Sequence, residues 1–114
     1  MKAKILVFPV FLLISVAFIS SAKADWQGPT TISEILVEGE ADGSRIYIIF
    51  DSVPDTAGCT GATRFTRVYG NTEKGRLILS VAMDAELANK PVTVALGGCD
   101  DWNRPVIYGL SMRR

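Results

Sequence analysis

Arg45-Ile46-Tyr47-Ile48-Ile49-Phe50-Asp51 places Ile46, Ile48 and Phe50 on one side of an extended chain and Tyr47 and Ile49 on the other. Successive strand residues point to opposite faces, so a strand apolar on both must be covered on both. The stretch therefore predicts a central strand of a β-sheet, with apolar layers above and below it.

The chain on either side supplies the neighbours. Upstream, Glu40-Ala41-Asp42-Gly43 holds an Asp-Gly pair, the strongest short hairpin signal, and leads back to a strand over Thr31 to Glu38. The segment Asp25 to Pro29 reads as a short entry. Downstream, Ser52 to Gly61 carries proline, two glycines and Cys59 and reads as a loop. Thr63 to Tyr69 then gives a third strand, in which Arg64 and Arg67 interrupt clean alternation. Together with Lys74 and Arg76 they form a basic group of four, read as a solvated edge strand, since charges there oppose edge-to-edge pairing.

Arg76 to Asn89 is the one predicted helix. Ile78, Val81, Ala82, Ala85 and Ala88 share a face, and Asn89 followed by Pro91 marks the end. Its start is open between Arg76 and Val81, with Ser80 as N-cap in the shorter version. Val92, Val94 and Leu96 alternate along a fourth strand that ends at Gly97-Gly98-Cys99. A last strand opens at Pro105, with Val106, Tyr108, Leu110 and Met112 opposite Ile107, Gly109 and Ser111. The order β-β-β-α-β-β predicts a mainly β fold with one helix: a small OB-like barrel with the helix across its open end, or an α+β layer as the alternative.

The first 24 residues form a separate unit. Lys2 and Lys4 precede an apolar run of about 15 residues, and Ser20-Ser21-Ala22-Lys23-Ala24 places small residues at −3 and −1 before Asp25. This is the plan of a cleaved signal peptide, and the run falls short of the roughly 20 apolar residues that span a bilayer. Residues 25–114 are then a single exported domain, secreted or periplasmic in a bacterium, with no membrane span after cleavage. Nine basic residues remain in it against twelve acidic, a net charge of −3. An acidic exported domain is a poor match for nucleic acid. In an oxidising compartment Cys59 and Cys99, the only two cysteines, are expected to pair.

The chemistry the chain can support is narrow. With no histidine, neither a Ser-His-Asp nor a Cys-His arrangement can form, and a disulfide leaves no thiol nucleophile. No carboxylate pair is placed by its spacing across a cleft, so no catalytic residue, cofactor or metal is assigned. Asp55, Asp100 and Asp101, drawn together by the disulfide, would suit Ca²⁺. The reading preferred is that Asp100-Asp101-Trp102-Asn103 is a polar turn before Pro105. Trp26, Trp102, Tyr47, Tyr69 and Tyr108 could offer stacking surfaces. Trp102 stands out, because Asp100, Asp101 and Asn103 beside it could hydrogen-bond hydroxyl groups, and these four residues are the candidate ligand surface. The competing reading has both tryptophans closing the core, Trp26 as a cap.

Leu79-Ser80-Val81-Ala82-Met83-Asp84-Ala85, Asn89-Lys90-Pro91-Val92-Thr93-Val94 and Gly98-Cys99 resemble a pattern of small secreted bacterial proteins of uncharacterised function. In those an Ala-rich helix runs into Gly-Lys-Pro-Val and a strand ending near a cysteine; Asn89 stands here in place of the glycine. The element order and disulfide over Trp26 to Met112 are also similar to the OB-fold B subunits of AB5 toxins, which implies an oligomeric glycan binder. No binding position of that family is matched residue by residue. The expectation is a non-catalytic exported module that binds a protein or a glycan and could be oligomeric; a small hydrolase or inhibitor is the lesser alternative.

Overall fold

The computed structural model describes residues 25–53 and 55–113, so the signal peptide expected over residues 1–24 lies outside the described residues. Six strands and one helix follow in the order β1 (Trp26–Thr30), β2 (Ile32–Val37), β3 (Arg45–Phe50), β4 (Phe65–Tyr69), α1 (Glu73–Ala88), β5 (Val92–Cys99) and β6 (Pro105–Met112). The strands form a single sheet in the order β1-β5-β6-β4-β3-β2, antiparallel except where β4 meets β6. Over the described residues the fold is thus mainly β with one helix.

The expected barrel is not closed. The hydrogen-bonded ladder begins at β1 and stops at β2. These two edge strands are consecutive in the chain, separated by Thr31 alone, so both edges of the sheet belong to one continuing run. The segment expected as an entry is itself an edge strand: Trp26 pairs with Ala95, and the register shifts before Thr30 reaches Val92.

The main core lies between the sheet and α1. Ile32, Ile46, Ile48, Phe50, Val68, Val92, Val94, Leu96 and Ile107 meet Ile78, Ala82 and Ala85 of the helix. Three small or medium helical residues let the helix sit close, and each large side chain fully removed from water contributes roughly 1.5–3 kcal/mol. The helix begins at the N-cap Thr72, earlier than either expected start. Thr72 Oγ1 accepts from Gly75 N at 2.9 Å, and a Cβ on Gly75 would stand 1.8 Å from the Tyr69 carbonyl oxygen, so only glycine lets the first turn pack here. The other end is as read: Asn89 adopts the left-handed conformation at φ 52°, and Lys90 N donates to Ala85 O at 2.8 Å.

Two further expectations change. β4 is not an edge strand, because β3 pairs along one side of it and β6, in parallel, on the other. In β6 the register shifts between Ala95↔Gly109 and Leu96↔Ile107, leaving Tyr108 as the extra residue. The bulge resets the alternation, so Ile107 enters the core while Leu110 also packs against it and Tyr108 is exposed.

No helix among the described residues is long and apolar enough to cross a membrane. Cys59 and Cys99 form the expected disulfide, with Sγ atoms 2.02 Å and Cα atoms 5.7 Å apart, fixing the loop after β3 to the end of β5.

Candidate functional site

Tyr47 and Ile49 face away from the helix, and Tyr47 is completely buried. What covers it is the turn after β5. Cross-strand pairing sets Tyr47 beside Arg67, and Arg45 precedes Tyr47 by two residues on the same face. Over this row lies the turn Asp100–Asn103. Asp100 Oδ1 accepts from Trp102 N at 2.9 Å and from Arg104 N at 2.8 Å, and Asp100 N donates to Arg104 O at 2.8 Å. One carboxylate oxygen thus closes the turn from within, the use Asp commonly serves in turns.

The other oxygen, Oδ2, accepts from Tyr47 Oη at 3.0 Å and Arg67 Nη1 at 3.1 Å. The Asp100 side chain has no exposed surface and that of Arg67 is 4% exposed. Asp101 reaches outward and accepts from Arg45 Nη2 at 2.8 and 3.1 Å. Arg45 also donates from Nε to Glu40 at 2.9 Å and from Nη1 to Tyr47 Oη at 2.8 Å. Three chain segments far apart in sequence are tied together by these charges.

Electrostatics follow from the geometry. Burial pushes the Asp100 carboxyl up, but the turn N–H groups, Arg67 and Tyr47 outweigh it and hold the group below the ordinary carboxylate value. Hydrogen bonds from Arg45 hold Asp101 low in the same way. The Arg45 guanidinium is held more firmly protonated by Asp101, against its own burial. Both carboxylates are anions at neutral pH, engaged with fixed cations.

The rings complete the cluster. Trp102 lies parallel to Tyr47, with centroids 6.4 Å apart, and the Arg45 guanidinium sits 3.7 Å from the Trp102 centroid. Arg104 stands 4.7 Å from the rings of Tyr47 and Phe65. Asn103 adopts φ 60°, its carbonyl accepts from Gly61 N at 2.7 Å, and its side chain donates to Thr60. The four residues named from sequence, Asp100, Asp101, Trp102 and Asn103, are therefore brought together, and their polar atoms are largely occupied by other parts of the same chain. Trp102 remains 44% exposed at the rim.

Asp55 does not join them. Its Oδ1 accepts from Ala57 N at 3.0 Å, and its backbone exchanges two hydrogen bonds with the Gln27 amide. Among the described residues no group of three or more acidic, cysteine or histidine side chains is placed to hold a metal ion. The basic group of four is also dispersed, because Arg67 is buried in the cluster rather than displayed on a solvated edge.

A second surface was not assigned from sequence. Trp26 is 55% exposed on the face of the sheet that carries Ala95 and Gly109. A Cβ on Gly109 would come within 2.7 Å of the indole, so the ring rests directly on β6 and covers the buried Ala95. A groove beside it is lined by Gln27, Thr93, Ser111 and Arg113. Sequence names Trp26 only among the aromatic residues able to stack or as a cap of the core; its place over small residues of two later strands follows from the register.

No protein-family model matches this chain, and no curated protein matches it either.

Proposed function

We propose that the protein is an exported, non-catalytic binding module that docks its ligand on the Trp26 shelf. One observation carries this reading: the indole rests on Gly109 with much of its surface open, beside two hydroxyl side chains and a guanidinium. A large aromatic surface held in place and left wet gives area at little ordering cost. The turn that bears Trp102 is the rigid support, since its carboxylates are already paired and ionised and hold no proton to exchange at neutral pH.

Export, to the periplasm or beyond a bacterial cell, is supported by the Cys59–Cys99 bridge and by the composition of the first 24 residues. A glycan-binding, oligomeric subunit with an OB-like fold is the second reading. It is favoured by the pairing of an open indole with Thr93, Ser111 and Arg113, donors and acceptors suited to sugar hydroxyls. Taken as one bent strand, β1 and β2 give the order β-β-β-α-β-β, and OB folds are partly open barrels.

The test is light scattering on the purified oxidised protein followed by a glycan array, with Arg113→Gln alongside. Glycan binding that weakens in Arg113→Gln supports the shelf. A bound glycan indifferent to Arg113 moves the site elsewhere, and no binding to any sugar removes the glycan reading and leaves a protein partner.

A further inference from the structure

A separate cleft opens where the sheet is weakest. β4 and β6 share one bridging pair, Arg67 with Val106, and the ladder between them does not extend past it. The first turn of α1 lies over the gap, held by the contact of Gly75 with the Tyr69 carbonyl. What remains is a cleft of about 170 Å³ whose apolar lining comes from Val68, Ile78, Val106 and Ile107. Tyr108 stands at its rim, 59% exposed, with Lys74 Nζ 4.1 Å from the ring centroid.

The cleft has the volume of one six-membered ring, since a protein cavity of about 150 Å³ admits benzene. Among its lining residues Lys74 carries the one charge. Thr72 Oγ1 is already spent, donating to Tyr69 O at 2.8 Å and accepting from Gly75 N at 2.9 Å. Lys74 makes no ion pair with any described residue. We propose that this cleft binds a small monocyclic aromatic carboxylate, with its ring on the apolar floor against Tyr108 and its carboxylate toward Lys74. The ring supplies burial and an aromatic pair, the carboxylate an exposed ion pair. This site shares no lining residue with the groove beside Trp26, although Trp26 rests on Gly109, the neighbour of Tyr108.

The experiment is an NMR titration of the oxidised protein with benzoate, with benzyl alcohol as a ring without charge and acetate as a charge without a ring. Benzoate should bind saturably in the millimolar range, shifting Tyr108, Ile107 and Ile78 signals and leaving the buried Tyr47 unmoved. Benzyl alcohol should bind more weakly at the same signals, and acetate should not shift them. Lys74→Gln, a change on an exposed side chain, should weaken benzoate about two- to five-fold, the range of one exposed ion pair, and leave benzyl alcohol unchanged. Tyr108→Ala should weaken both. The proposal is overturned if benzoate shifts none of the cleft signals, if acetate shifts them equally, or if Lys74→Gln weakens both ring compounds alike.

Discussion

Replacing Asp100 by asparagine keeps the shape of the side chain and removes its charge. In the native turn Oδ1 closes two backbone N–H groups at 2.8 and 2.9 Å, and Oδ2 takes Tyr47 Oη at 3.0 Å and Arg67 Nη1 at 3.1 Å. The carboxamide can satisfy one pair only: with its oxygen on the turn, its NH₂ faces the buried guanidinium, donor against donor. Breaking a buried ion pair from one side costs about 3–5 kcal/mol, because the remaining charge stays desolvated. Small domains have about 5–15 kcal/mol in total. With a urea dependence of roughly 1 kcal/mol per molar for a chain of this size, the midpoint should fall by about 3 M or more. Urea unfolding followed by tryptophan fluorescence gives the midpoint directly. Asp101→Asn is the matched control, since that side chain is 65% exposed and its midpoint should move far less. Equal, small shifts in the two variants would refute the view that Asp100 is the keystone of the cluster.

Three further outcomes are expected. Replacing both cysteines by serine should destabilise the fold by up to roughly 4 kcal/mol, the chain-entropy value for a bridge spanning 40 positions, and an unchanged urea midpoint would contradict it. Asp100 and Asp101 both titrate below their unfolded values, so the stability they lend is complete above about pH 4 and is lost as pH falls through the lower folded values; acid unfolding of the wild type should be steeper below that point than that of Asp100→Asn. Thr72→Ala removes the N-cap that Gly75 N uses and should cost about 1 kcal/mol by thermal or urea unfolding.

The parts legible in the sequence were those fixed by neighbours along the chain. The two-sided apolar strand Arg45–Phe50, the turn at Asp42-Gly43 and the left-handed Asn89 each depend on a few adjacent residues. Parts fixed by distant partners were not legible. β1, a run of Trp-Gln-Gly-Pro-Thr, has weak strand propensity and becomes a strand because β5 offers it an edge. Gly75 argues against helix by propensity, yet the close Tyr69 carbonyl requires it. Arg67 looks like a surface charge until Asp100, 33 residues later, is folded onto it. The bulge at Tyr108 brings Ile107 and Leu110, which simple alternation sets on opposite faces, to the same core, and no alternation count could show this. The same reason separates the two tryptophans: the polar company of Trp102 is visible in sequence and turns inward, while the shelf under Trp26 is assembled by pairing.

That division between support and binding surface is tested most directly by measuring glycan-array binding of Trp26→Ala and Trp102→Ala, side by side, per folded molecule. For a glycan bound by the wild type, Trp26→Ala should lose binding, and Trp102→Ala, though less stable without its contacts to Arg45 and Tyr47, should retain it. Binding lost in Trp102→Ala and kept in Trp26→Ala would contradict it and return the ligand to the Asp100–Asn103 turn.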